Sequence, residues 1–137
     1  MSKVSPTARS LAHCRKLRWP AGVVERWIAA VQIRKDLFGC IDLVAIADGG
    51  ILGIQATTGG NHASRRTKAI AEPRLRAWLK AGGLFEVWSW EKQGSAGKRK
   101  LWQLRRERLE LEHLPAPPAE PEEPEGPQAE LPWAESA

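Results

Sequence analysis

Asp42 and Gln55 close the far ends of two short apolar runs, residues 41–46 and 51–56, separated by Ala47-Asp48-Gly49-Gly50. Asp-Gly suits a type I′ hairpin turn, in which both central residues take positive φ. With Asp48-Gly49 as a two-residue turn, Ala47 faces Gly50, Ile46 faces Ile51, Val44 faces Gly53 and Asp42 faces Gln55. A three-residue turn would set Asp42 opposite Ala56 instead. In the first register one face carries Ile41, Leu43, Ala45, Leu52, Ile54 and Ala56; the other carries Val44, Ile46, Ile51 and Gly53 and ends in the polar pair. Both faces are mostly apolar, so other elements are expected to cover both. Directly opposed residues lie about 5 Å apart at Cβ. At that spacing a carboxylate and an amide carbonyl suit a hard cation such as Mg²⁺ or Mn²⁺. They equally suit a hydrogen-bonded Asp–Gln pair, and spacing alone leaves both readings open.

Basic residues flank this pair in the chain: Arg34, Lys35, Arg65, Arg66, Lys68, Arg74 and Arg76. They are expected either to contact phosphates, giving salt-dependent and largely sequence-independent binding, or to form solvated helix faces. Asp36 is a third potential metal ligand but reads more simply as a surface turn residue. His62 could activate a water or merely decorate a helix start. Of seven tryptophans, Trp27, Trp78, Trp88 and Trp90 are spaced as core residues, while Trp19 and Trp102 could stack on an unpaired base. Lys98-Arg99-Lys100 forms a basic turn able to grip a phosphate backbone.

The elements that must position these residues follow from periodicity. Residues 7–18 form a short basic helix, with Leu11, Cys14 and Leu17 at helical spacing, ended by Pro20-Ala21-Gly22. Residues 23–35 are rich in β-branched and aromatic types and read as one long strand bent at Ala29-Ala30, with helix as the competing assignment. After the hairpin, Asn61 could cap a basic helix over 62–71. Pro73 starts another helix, with Leu75, Trp78 and Leu79 inward, that Gly82-Gly83 stops. Residues 84–90 are a strand, and 100–108 a strand or short helix.

Six glutamates and no lysine or arginine fall in residues 115–137, so residues 1–114 hold all 21 basic residues against ten acidic ones. A domain this basic suggests a polyanionic partner, most simply nucleic acid. The boundary is also compositional, since seven of the last 23 residues are proline. This segment should be disordered or polyproline-like; it could fold back on the basic face, dock a protein partner through Leu131-Pro132-Trp133, or serve as a solubilising tail. There is no apolar run long enough to cross a membrane and no apolar stretch before a cleavage site, so a cytoplasmic protein is expected. Cys14 and Cys40 are not a C-x-x-C pair, and three scattered histidines argue against a zinc site.

The segment Arg34-Lys35-Asp36-Leu37-Phe38-Gly39-Cys40-Ile41-Asp42-Leu43-Val44, followed by Leu52-Gly53-Ile54-Gln55-Ala56-Thr57, resembles PD-(D/E)XK nucleases. It is most similar to their Holliday-junction-resolvase-like, Mrr-like and phage-encoded branches. The resemblance covers residues 7–108. It implies a restriction-endonuclease-like α/β fold, a central mixed sheet flanked by helices, and Mg²⁺- or Mn²⁺-dependent hydrolysis of DNA, branched DNA included. A homodimer and a phage origin, with action in the host cytoplasm, also belong to what it implies. Residue by residue, Asp42 corresponds to the metal-binding aspartate, and Gln55 to the second acidic position, where some branches carry Gln. Thr57 stands where the motif lysine should be, and Glu25 is a loose match to an early acidic residue. The next helix offers Arg65, Arg66 and Lys68, of which Lys68 or Arg65 would take over the lysine's role. If neither does, the implied function is a nucleic-acid-binding protein on a nuclease fold. A protein-interaction module acting through the acidic tail is the reading from a different class.

Overall fold

The computed structural model describes residues 4–94 and 101–116. Lys98-Arg99-Lys100, Leu131-Pro132-Trp133 and the acidic segment from residue 117 onward lie outside the described residues. The chain folds as α1 (Pro6–Lys16), β1 (Ala21–Val23), β2 (Arg26–Ile28), β3 (Ile33–Lys35), β4 (Leu43–Ala47), β5 (Gly50–Thr58), α2 (His62–Ile70), α3 (Pro73–Lys80), β6 (Leu84–Gln93) and β7 (Leu101–Leu109). Five strands form one mixed sheet in the order β1-β4-β5-β6-β7, and β2 and β3 form a separate two-stranded ribbon. Among the described strands only β5 and β6 run parallel, and α2 and α3 fill the crossover that such a pair requires.

The β4–β5 ladder has the register of a two-residue Asp48-Gly49 turn: Ala47 faces Gly50, Ile46 faces Ile51, Val44 faces Gly53 and Leu43 faces Ile54. The turn is not the expected type I′, because neither Asp48 nor Gly49 takes positive φ and Gly50 does instead, at 143°. Leu43, Ala45, Leu52 and Ile54 pack with Cys14 and Trp88 in one core, joined by Leu11 of α1. On the other face Ile41, Phe85, Val87 and Leu109 pack with Ala69 of α2 and Leu75 of α3, joined by Val44, Trp78 and Leu79. The sheet is therefore sandwiched between α1 and the α2–α3 pair, and this explains its two apolar faces. A Cβ at Gly53 would sit 2.8 Å from Ile41 Cδ1, so a larger residue there would push the end of the Ile41 side chain aside. Coverage is incomplete beside the turn, where Ile46 and Ile51 remain 55% and 45% exposed, contrary to the expectation that both faces are covered.

Residues 23–35 are not one long strand. Val23 ends β1 on the main sheet, and the chain then turns out into the β2–β3 ribbon, paired from Arg26–Lys35 to Ile28–Ile33. The bend at Ala29-Ala30 is a full reversal, closed by Val31 N–H on the Ile28 carbonyl and by Gln32 at φ 52°. A run of β-branched residues marks extended backbone but not its direction. In consequence Trp27, expected in the core, stands 57% exposed on the ribbon. Trp78, Trp88 and Trp90 do pack inside. Residues 101–109 resolve as strand rather than helix, hydrogen-bonded along β6. Asn61 precedes α2, but its side-chain amide bonds Thr58 Oγ1 rather than capping the helix.

Candidate metal centre

The β4–β5 ladder ends at Leu43–Ile54. One residue further Asp42 gives its N–H to the Ile54 carbonyl, 2.8 Å, and its side chain swings to β5. Asp42 Oδ2 accepts Gln55 Nε2 at 2.7 Å and the Ala56 N–H at 2.9 Å. The anticipated Asp42–Gln55 partnership is therefore present as a hydrogen bond between two side chains that are each only 2% exposed. Gln55 Oε1 has no hydrogen-bond partner among the described residues although it is buried. Such an orphaned oxygen is costly, and it is the kind of ligand a hard cation takes.

Two further carboxylates converge on Asp42. The Asp42 carbonyl accepts N–H groups from Val24 at 2.8 Å and Glu25 at 3.2 Å, which anchors Glu25 where the chain leaves β1. The ribbon then carries the chain out and back, and Arg34 Nη1 meets Glu25 Oε1 at 3.0 Å. Asp36 follows β3, and the chain reverses at once through Phe38 (φ 53°) and Gly39 (φ 73°). Both residues sit in left-handed backbone, and the chain turns back on itself through residues 38–40. The reversal is closed by the Leu37–Ile41 bridge, whose N–H to carbonyl distances are 2.8 and 3.0 Å. One carboxylate oxygen each from Glu25, Asp36 and Asp42 comes within 4.8 Å of the others. Asp36 is thus no mere surface turn residue, and Glu25, only a loose match in sequence, is part of the cluster.

These groups line a cavity of about 500 Å³ together with Gln55, Thr57, Arg34, Lys35, Arg65 and Lys68. Lys68 Nζ stands 3.8 Å from Asp36 Oδ2. Thr57 is buried on β5 beside Gln55. Thr7, on the first turn of α1, also lines the cavity and carried no sequence signal. Of the anticipated site residues, then, Asp42, Gln55, Thr57, Lys68, Arg34, Lys35 and Arg65 come together. Arg66 does not: it points to the far side of α2, where its Nε meets Glu107 Oε2 at 2.7 Å. His62 also lies away from the cavity. It is buried between Ser89 Oγ, 2.7 Å, and Glu107 Oε1, 2.8 Å, a polar clamp that fixes the start of α2 against β6 and β7.

Burial pushes the Asp42 carboxyl up to about 8, helped by its proximity to Asp36 and Glu25 and opposed by the Ala56 N–H. Like charges crowded in a low-dielectric site behave this way unless a counter-charge joins them. The three carboxylates offer an all-oxygen donor set, which suits a hard cation rather than a softer metal. No protein family model, curated protein or solved structure matches the chain. No helix among the described residues is long and apolar enough to cross a membrane.

Proposed function

We propose that the chain is a metal-dependent endonuclease that hydrolyses phosphodiester bonds in DNA. The observation that carries this reading is the convergence of Glu25, Asp36 and Asp42 within 4.8 Å, in a cavity whose remaining charged lining, Arg34, Lys35, Arg65 and Lys68, is cationic. Acidic floor and basic rim are what a phosphodiester needs, since carboxylates hold a cation and cations hold the flanking phosphates. A divalent ion bound there supplies Lewis-acid polarisation of the phosphate and a more acidic bound water. The chain's own groups do the rest. Asp36 would accept a hydrogen bond from the attacking water. Lys68, beside it, supplies the positive charge that Thr57, in the motif lysine's position, lacks. Arg34, Lys35 and Arg65 bind and orient the strand. The excess of basic residues before residue 115 favours a polyanionic substrate, and the resemblance to junction-resolving nucleases makes branched DNA a substrate to include.

A nucleic-acid-binding domain without catalysis is the second reading. The Gln55–Asp42 hydrogen bond favours it, because it closes the pair on itself. The deciding experiment is cleavage of labelled linear duplex, single-stranded and four-way-junction DNA in Mg²⁺ or Mn²⁺, with gel-shift binding in parallel. Wild type should cut at least one substrate, and Asp42→Ala should lose more than about 100-fold of that rate, more than the loss typical of a ligand's outer partners, while still binding. Binding without cleavage in either metal would discard the enzyme and leave the binding domain.

A further inference from the structure

A second cavity adjoins the acidic one. Ser5, Pro6 and Thr58 line both, so the start of α1 and the end of β5 form a shared threshold. Beyond it lies a space of about 650 Å³, within the range of small-ligand sites. Its walls include Trp90, Trp102, Arg9 and Lys92, and no carboxylate among the described residues. Trp90 is fixed, its Nε1–H donating to buried Ser10 Oγ at 2.9 Å. Trp102 faces Lys92 across the β6–β7 ladder and remains 40% exposed. The Arg9 guanidinium lies 4.0 Å from the Trp102 ring centroid and 5.9 Å from that of Trp90, and Lys92 Nζ lies 5.4 Å from Trp102.

We propose that this cavity takes an unpaired nucleobase of the strand whose phosphate occupies the neighbouring acidic site, with the base stacked against Trp102 and its phosphate met by Arg9 and Lys92. The proposal deepens the nucleic-acid reading above and rests on it. Indole faces bind bases of any sequence, and cations beside them serve the backbone. A lining of two cations and two indoles selects for an anion that carries a flat ring. A continuous duplex keeps its base faces stacked internally and gains nothing from such a site. A single strand, a frayed end or a nucleotide turned out of a junction can reach it.

The test compares a fluorescein-labelled oligothymidylate with a blunt duplex by anisotropy, in chelator, using the full chain. Trp102→Ala should weaken oligothymidylate binding by about tenfold or more, as loss of one stacked base does, and leave duplex binding within about twofold. Trp102→Phe, which keeps a ring, should restore most of the loss. Arg9→Gln leaves the indole in place and should also weaken the oligothymidylate selectively, which covers the case in which Trp102→Ala fails to fold. Equal losses on both ligands, no loss on the oligothymidylate, or no oligothymidylate binding by wild type would each overturn the proposal. The two readings fail separately. Trp102-dependent binding without metal-dependent cleavage removes the nuclease and keeps the pocket. Cleavage without any Trp102 dependence does the reverse.

Discussion

Burial and the nearby Asp36 carboxylate both oppose a charge on Asp42, and the Ala56 N–H supports one. A divalent cation reverses that balance, so it should bind the folded chain and not the unfolded one. Saturating Mn²⁺ at about 100 times its dissociation constant then adds about 2.7 kcal/mol of stability, a melting shift of several degrees that thermal unfolding in Mn²⁺ and in chelator will show. Asp42→Ala and Asp36→Asn should abolish the shift; a full shift in either variant would remove that residue from the site. Gln55→Glu is the complementary change. It replaces the donor facing Asp42 Oδ2 with a fourth carboxylate, so it should lower melting in chelator and enlarge the shift in Mn²⁺. At this scale the sequence made Asp42 and Gln55 legible, because a two-residue turn fixes which side chains end a hairpin. Asp36 and Glu25 were obscure for the opposite reason. Each lies outside the main sheet, and an acidic residue next to a turn looks the same whether it faces solvent or a cluster.

The elements that gather the cluster are short and strained, and this has consequences for mutation. Gly39 holds φ 73°, and a Cβ there would meet Glu72 Oε1 at 3.1 Å and the Arg74 guanidinium at 3.3 Å. Gly39→Ala should therefore cost about 1–2 kcal/mol from the left-handed backbone, measured by denaturant unfolding. It should also weaken Mn²⁺ binding, because the turn is what returns the chain from Asp36 to Asp42. Unchanged stability would show that the turn tolerates a side chain. On the far end of the sheet, β6 and β7 are joined by Glu86, buried and held by Arg106 Nε at 2.7 Å and Arg108 Nη2 at 2.9 Å. Burial alone would raise this carboxyl, but Arg106, Trp88 and Arg108 outweigh it and hold it below its ordinary range. A depressed carboxyl stabilises the fold above its unfolded pKa, and that contribution fades as pH falls through the lower folded value. Melting temperature should thus drop as pH is taken below the ordinary glutamate value of about 4.3. Glu86→Gln should be less stable at neutral pH and flatter across that acid range. The reading of residues 23–35 as one strand failed at this same scale. Period and propensity register extended backbone, and nothing in Ala29-Ala30 announces a reversal, since neither residue is glycine, proline, asparagine or aspartate.

Across the whole molecule the basic residues divide into those that face the cavity and those that hold the fold, and sequence proximity does not tell them apart. Arg65 and Arg66 are neighbours on α2. Successive helical residues point about 100° apart, so Arg65 reaches the cavity while Arg66 reaches Glu107 on β7. Their variants should separate accordingly. On duplex DNA the slope of log affinity against log salt scales with the number of phosphates a protein neutralises, at about 0.9 for each. Arg65→Ala should therefore flatten the salt dependence by about that amount and weaken binding uniformly across sequences, with melting unchanged. Arg66→Ala should leave the salt slope alone and lower melting slightly, since it removes a half-exposed partner from the Glu107–His62–Ser89 clamp. A reversed outcome, with Arg66 carrying the salt dependence, would move the nucleic-acid surface to the β7 side of the sheet and away from the acidic cluster, and cleavage at that cluster would then have no strand to act on.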